Sequence, residues 1–166
     1  TCHIEVLAVQ DEDWAGNWKA YYRPTRTGRR LVVKPTWESY TSQPEDLIIE
    51  LDPGMAFGTG THTTTRQCLE MMETTLVPGQ KVLDIGTGSG ILAIAAAKLG
   101  AGQVKAIDID PVAVEIAQQN IRQNGVESLV TVEHRDLAEF CAPEADLVTA
   151  NLTAPVLCQL IERLIA

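Results

Sequence analysis

The run Val82-Leu83-Asp84-Ile85-Gly86-Thr87-Gly88-Ser89-Gly90 constrains the fold of this chain more than any other segment. An apolar strand ends in an acid, and three alternating glycines then open a helix, Ile91-Leu92-Ala93-Ile94-Ala95-Ala96-Ala97-Lys98-Leu99. Glycine permits the backbone of a tight turn and lacks the Cβ that keeps a ligand off the main chain, while the first turn of a helix presents N–H groups with no intrahelical acceptor. Strand, glycine elbow and helix in that order predict a parallel α/β unit that holds a small, nucleotide-like molecule against bare backbone.

Asp84 discriminates between the molecules such an elbow can hold. A dinucleotide places its pyrophosphate at the helix start, where amide dipoles favour negative charge and an added carboxylate opposes it. S-adenosylmethionine carries no phosphate; an acid attracts its ammonium and sulfonium through space, and the ammonium also by charge-assisted hydrogen bonds. Asp84-x-Gly86-x-Gly88-x-Gly90 therefore favours the sulfonium cofactor. The register Gly88-x-Gly90-x-x-Ala93 also satisfies the dinucleotide fingerprint, so an NAD-dependent oxidoreductase stays open as the alternative.

Val104 to Asp108 reads as the next strand. Asp108 stands at roughly the twenty-residue offset at which an acid reaches two ribose hydroxyls, although an acid in this place also serves simply to punctuate a strand-to-helix turn. Asp110 predicts an N-cap with Pro111 at the first helical position, and the helix runs to Asn124, with Gly125 placed for the C-terminal cap. Its expected inner stripe is Ala113, Ile116, Ala117, Asn120, Ile121 and Asn124.

With 166 residues, 45% of them hydrophobic, the chain can bury one core and a small appendage. It begins at Thr1 and ends inside an apolar-periodic helix with Leu157, Leu160, Ile161 and Leu164 on its inner face, so a sheet truncated after its fourth strand is expected. A half sheet exposes an edge and an apolar helix face, which implies weak stability and little turnover in isolation. The net charge of -9 argues against free nucleic acid as a required partner and leaves a basic protein substrate open. Cys2, Cys68, Cys141 and Cys158 show no C-x-x-C pairing and read as buried thiols in a reducing compartment. No basic-then-apolar leader is visible, and the apolar runs fall short of the roughly twenty residues a membrane span needs, so a cytoplasmic protein is the simple expectation.

Residues 1–42 read as the end of a preceding domain plus a connector, and residues 43–166 as the cofactor-binding domain. The first part holds a strand Ile4 to Val9, a helix Asp13 to Tyr22, a turn-rich basic stretch Arg23 to Arg30 and a short strand Leu31 to Val33. The second alternates: a helix from Thr61 to Leu76, then strands at Lys81 to Ile85, Gln103 to Ile107, Leu129 to Glu133 and Asp146 to Ala150, with a last helix capped by Thr153 and carrying Pro155 near its start. That alternation argues an open, Rossmann-like parallel sheet with crossover helices. Ligands in such sheets collect outside the carboxyl ends of the strands, where Asp84, Asp108, Asp136 and Asn151 all stand.

Leu51 to Thr65 is rich in glycine and hydroxyls just before a helix. It predicts a lid in which Phe57 covers an apolar face and the threonines bind the amino-acid end of the cofactor; the same composition also suits an ordinary connector with a helix cap. Asp136 either accepts a hydrogen bond from an adenine amino group or starts a helix Leu137 to Cys141, with His134 and Arg135 as solvated neighbours. Asn151-Leu152-Thr153-Ala154-Pro155 supplies acceptors but no strong base, which suits orienting an amine, or else Asn151 is a turn residue. Trp14, Trp18, Tyr21, Tyr22, Arg23, Arg26, Arg29 and Arg30 read as aromatics anchoring a connector with arginines outside, with nucleic-acid pairing and stacking as the competing reading.

Three of these segments, Leu51 to His62, Asp84 to Ala95 and Asn151 to Pro155, closely resemble the PrmA family of ribosomal protein methyltransferases, and Trp14 through Trp37 resembles the family's connector. The resemblance implies a class I S-adenosylmethionine-dependent methyltransferase domain behind a small recognition domain. It further implies methylation of the α-amino group and lysine side chains of large-subunit ribosomal protein eleven. By matching motif positions, Thr65, Gly86, Asp108 and Asn151 are implied to contact the cofactor, with Phe57 near the methyl group. Gly88, Gly90, Asp84 and Asp136 complete the expected cofactor set, and Asn151 and Phe57 the expected catalytic pair. Thr63 stands where proline is common in the family and Thr87 where cysteine is frequent. Asn151 is followed by Leu152-Thr153, not by the Pro-Pro-aromatic run of many glutamine and adenine amine methyltransferases, which lowers a nucleic-acid base as target.

Overall fold

The computed structural model describes residues 22–52, 62–136 and 144–164. Its elements run β1 (Thr25–Thr27), β2 (Leu31–Lys34), β3 (Leu47–Glu50), α1 (Thr63–Thr75), β4 (Lys81–Ile85), α2 (Ile91–Lys98), β5 (Gln103–Asp108), α3 (Pro111–Gln123), β6 (Val130–His134), β7 (Leu147–Ala150) and α4 (Ala154–Leu164). The last four strands form a parallel sheet in the order β6-β5-β4-β7, with Val82 opposite Val104 and Leu147. β4, the strand that carries Asp84, is therefore interior, and its last four residues are all buried. A strand buried on both faces has no reason to alternate, and Val-Leu-Asp-Ile does not.

The first three strands make a second sheet in place of the connector expected before Ser42. β1 and β2 are antiparallel, and β2 pairs in parallel with β3. The expected division at 42/43 thus runs between two hydrogen-bonded strands. The basic stretch Arg23 to Arg30, read as turns, supplies β1 and its hairpin. Arg26 points inward there, bonding Asp46 at 2.7 Å and the Tyr40 hydroxyl at 3.0 Å. Glu73 of α1 clamps the hairpin turn, its two carboxylate oxygens each accepting at 2.6 Å from the Arg29 and Arg30 N–H groups.

α2 lies between the two sheets, which explains a composition no surface helix has. Ile91 through Ala97 are all buried, in one core with Leu31, Val33, Ile49, Val82 and Val104. A helix apolar all round must be covered all round, and four alanines let both layers approach it. α3 is amphipathic and capped as expected: Asp110 Oδ1 accepts from the Val112 N–H at 2.9 Å, and Gly125 takes φ 66°. The Gly125 N–H donates to the Arg122 carbonyl and the Val126 N–H to the Ile121 carbonyl, closing a Schellman motif. Val114 is fully buried while Ile116 is half-buried, so the inner stripe is shifted by part of a turn from the expected one.

On the other face, Leu160 of α4 packs with Leu83, Ile85 and Ile107. Leu157 is half-buried, but Ile161 is 51% exposed, so it leaves the inner face assigned to it. This second cluster is small and covers only a narrow stripe of the helix. Val148 of β7 and Val156 of α4 are exposed too, and among the described residues β7 pairs only with β4. Cys68 is half-buried and Cys158 exposed, the latter against the expectation of buried thiols, because residue 158 lies off the Leu160 stripe. Cys2 and Cys141 lie outside the described residues. No helix among the described residues is long and apolar enough to cross a membrane.

Candidate active site

The glycine elbow joins β4 to α2. The N–H groups of Gly86 and Thr87 both donate to the Ile107 carbonyl, at 2.9 and 3.1 Å, and the Gly90 N–H donates to the Thr87 carbonyl at 2.9 Å. Gly86 has φ 68° and Gly90 φ 83°, conformations that side chains rarely adopt. Space demands glycine as well. A Cβ on Gly86 would collide with the Leu152 side chain, and one on Gly90 would stand 3.3 Å from Ala117 backbone in α3. The elbow thus touches the loop after β7 on one side and the next helix on the other.

Asp108 ends β5 beside this elbow. One of its carboxylate oxygens accepts from the Gly88 N–H at 2.8 Å and the other from the Asp110 N–H at 3.0 Å. It therefore organises the turn it ends, while remaining half-buried with lone pairs left over for further donors. The Arg135 N–H donates to the Asp108 carbonyl at 2.9 Å, which draws the end of β6, and with it exposed Asp136, alongside. The helix expected from Leu137 to Cys141 lies outside the described residues. His134 donates from Nε2 to the Ile109 carbonyl at 2.8 Å, and Arg135 pairs with Glu133 at 3.2 Å; both are exposed. Ile109, 62% exposed directly after Asp108, is an apolar residue of this neighbourhood that the sequence reading did not single out. Its isolation between two acids was the available signal.

Asp84 is wholly buried, and both its oxygens are engaged: Oδ1 accepts from the Thr149 hydroxyl at 2.6 Å and Oδ2 from the Thr87 hydroxyl at 2.7 Å. Burial pushes this carboxyl above the usual carboxylate range, and the charge of Asp108 adds to the rise. The Thr149 and Thr87 hydroxyls and the Ala93 N–H pull it back without cancelling it. The direct charge-assisted bond expected between Asp84 and a ligand ammonium therefore meets no exposed carboxylate oxygen. What Asp84 does here is join two strand ends. Thr149, a polar residue inside the apolar run Leu-Val-Thr-Ala, escaped the sequence reading, and that interruption was its signal.

Asn151 follows β7 and reaches across the strand ends to α1. Its Nδ2 donates to the Thr65 hydroxyl at 3.0 Å, joining residues 86 apart. Thr65 is buried and Asn151 half-buried. α1 presents Thr65 here because it starts at Thr63, capped by His62, whose Nδ1 accepts from the Thr64 N–H at 3.3 Å. Thus Thr65, Gly86, Gly88, Gly90, Asp108, Asp136 and Asn151 all collect at the carboxyl ends of the parallel strands. Phe57 and the rest of the expected lid, 53–61, lie outside the described residues.

The family model for ribosomal protein L11 methyltransferase (PrmA) matches residues 1–166. The chain belongs to the PrmA family. It is 56% identical over 158 residues to the ribosomal protein L11 methyltransferase of Desulfitobacterium hafniense, covering 95% of this chain and 50% of that protein. The counterpart from an Exiguobacterium strain is 52% identical over 159 residues, covering 96% of this chain and 51% of the relative. The chain thus spans about half the length of the curated PrmA relatives it matches. Among solved structures, the ribosomal protein L11 methylase of Lactobacillus delbrueckii subsp. bulgaricus superposes with a TM-score of 0.80 at 39% identity, over 87% of this chain and 74% of that one. A dimethyladenosine transferase from Plasmodium falciparum matches with a TM-score of 0.51 at 25% identity, over 60% of this chain and 35% of that one. The sheet is that of class I methyltransferases, and the matching family is one of methyltransferases, not of NAD-dependent oxidoreductases.

Proposed function

We propose that this chain forms the cofactor-binding part of an S-adenosylmethionine-dependent protein N-methyltransferase that modifies ribosomal protein L11 at its α-amino and lysine ε-amino groups. The observation that carries the reading is the meeting of Asn151 with Thr65 at the strand ends that also bear the glycine elbow and Asp108. The names of the PrmA relatives support the substrate. The reaction belongs in the cytoplasm, and nothing in its chemistry requires nucleic acid or a membrane.

The residues present suit the cofactor. The positive-φ turns at Gly86, Gly88 and Gly90 shape an elbow whose backbone suits the amino-acid portion, Asp108 offers two carboxylate oxygens to ribose hydroxyls, and Ile109 offers an apolar face to an adenine whose amino group Asp136 accepts. When bound, S-adenosylmethionine supplies a methyl group on a sulfonium, an electrophile toward an uncharged amine. The protein's own task is then to hold a neutral nitrogen lone pair in line. Asn151 suits it: with Nδ2 engaged by Thr65, its Oδ1 and the neighbouring backbone carbonyls accept the amine hydrogens and direct the lone pair away from them. A lysine near pKa 10 in water needs desolvation to lose its proton, a role for which the resemblance at Leu51 to His62 supports Phe57.

A labelled-methyl assay on ribosomal protein L11 with the full-length protein, paired with calorimetric titration by adenosylhomocysteine and by NADH, tests this. Label in the amine positions of the ribosomal protein and binding of adenosylhomocysteine alone are the expected results. Saturation by NADH, or no label transferred, refutes the proposal.

A further inference from the structure

Asp84 and Thr149 stand opposite each other in the register of β4 and β7, so their side chains share one side of the sheet. The Asp84 carboxyl takes the Thr149 hydroxyl on one oxygen and the Thr87 hydroxyl on the other. Thr87 lies inside the glycine elbow, and Thr149 lies two residues before Asn151. A buried carboxyl therefore bridges the loop read as holding the cofactor and the loop read as presenting the amine. Hydrogen bonds of 2.6 and 2.7 Å from hydroxyls to a carboxyl are short and directional.

The bridge lies within the ladder, whose last pair is Ile85 with Ala150, but it extends to the elbow, which the ladder does not reach: through Asp84 it ties β7 to Thr87. Near that end the constraints are the Asp84 bridge, the seat of Leu152 against Gly86, and the bond from Asn151 to Thr65. Among the described residues, the bridge is the side-chain hydrogen-bond link that joins this strand, already paired to β4, onward to the elbow.

We propose that Thr149 is a positioning residue for methyl transfer: through Asp84 it sets the separation between the glycine elbow and the Asn151 loop, and hence between methyl donor and amine. The inference rests on the methyltransferase reading above. In-line attack between two separately held reactants is steep in distance and angle, and a displacement of about 1 Å can cost on the order of a hundredfold in rate. Cofactor affinity depends on the elbow and Asp108, which the Thr149 hydroxyl reaches only through Asp84 and which keep their own bonds to the Ile107 carbonyl and the Gly88 N–H.

The test uses the full-length protein, with methyl transfer to ribosomal protein L11 for turnover and adenosylhomocysteine titration for affinity. Thr149→Val keeps the shape and deletes the hydroxyl, whereas Thr149→Ser keeps the hydroxyl. Thr149→Val is expected to lower kcat roughly tenfold while the adenosylhomocysteine Kd stays within about twofold, and Thr149→Ser to restore most of the turnover. If Thr149→Val does not fold, Thr149→Ala carries the same comparison. Wild-type turnover in the hydroxyl-less variant, a loss that serine does not restore, or a matching fall in affinity overturns the role of Thr149. Failure of the wild type itself to bind adenosylhomocysteine or transfer methyl groups overturns the methyltransferase reading, and with it this inference, before any variant is compared.

Discussion

The side-chain amide of Asn124 lies along the free edge of β3, its Oδ1 accepting from the Glu50 N–H at 2.9 Å and its Nδ2 donating to the Glu50 carbonyl at 2.8 Å. One side chain thus reproduces a strand pairing and ties the end of α3 to the three-stranded sheet. Asn124→Ala removes both bonds and leaves two half-buried backbone groups without a protein partner. The expected cost is about 1–3 kcal/mol in urea unfolding of the full-length protein. A change under a few tenths of that would show the clamp to be ornamental.

Glu73 predicts a second, smaller effect. Its carboxylate receives two N–H groups of the β1-β2 turn, at an exposed place where water competes. Glu73→Gln keeps the shape but offers one carbonyl oxygen for two donors. A loss of about 1 kcal/mol is expected, with larger changes in hydrogen exchange at Arg29 and Arg30 than elsewhere.

Two carboxyls give opposite dependences on pH. Asp46 is held below the ordinary carboxylate range, first by the Gln43 N–H and also by Arg26 and the Tyr40 hydroxyl. Its contribution to stability is present above the unfolded value near pH 4 and is lost as pH falls through the lower folded value. Asp84 is raised by burial, so the folded state binds its proton more tightly than the unfolded one does. Its contribution is fully present below about pH 4 and declines as pH rises through the folded pKa. Against wild type, Asp84→Asn should therefore gain relative stability as pH is raised from 4 to 8, and Asp46→Asn should gain relative stability as pH is lowered below about 4, where wild type loses the Asp46 contribution. Denaturant unfolding across both ranges measures this, and parallel curves for Asp84→Asn and wild type would contradict it.

Asp108 is expected to matter chiefly for cofactor binding. Asp108→Ala deletes the acceptor for Gly88 and Asp110 and the proposed partner of the ribose hydroxyls. Adenosylhomocysteine should bind at least roughly tenfold more weakly by calorimetry, since each hydrogen bond to a charged group is worth about 1.5–3 kcal/mol.

Asn151→Ala should lower kcat/KM roughly ten- to hundredfold in the methyl-transfer assay, because orientation of the amine is what it supplies. Thr65→Val, which cannot receive the Asn151 amide, should lose part of the same activity, and the double variant should fall short of the product of the two losses. Independent, multiplicative losses would mean that the bond between them has no part in the reaction.

Sequence alone determined the elements whose causes are local. The glycine elbow, the Asp110 cap with Pro111 behind it, the Gly125 stop and the four parallel strands depend on residues within a turn of one another, so their spacing shows them. The motifs at Leu51 to His62 and Asn151 to Pro155 likewise carry the family in contiguous residues. Tertiary structure alone decided which polar groups meet: Asn124 with Glu50, Thr65 with Asn151, and Asp84 between Thr87 and Thr149. Those pairings follow from how elements far apart in the chain pack, and for Asp84 and Thr149 a register shift of one residue would turn one partner to the opposite face. The same reason explains Arg26 turning inward to Asp46 and Ile161 turning outward. Whether a charged or apolar side chain is covered depends on what lies across from it, and no neighbour in the chain specifies that.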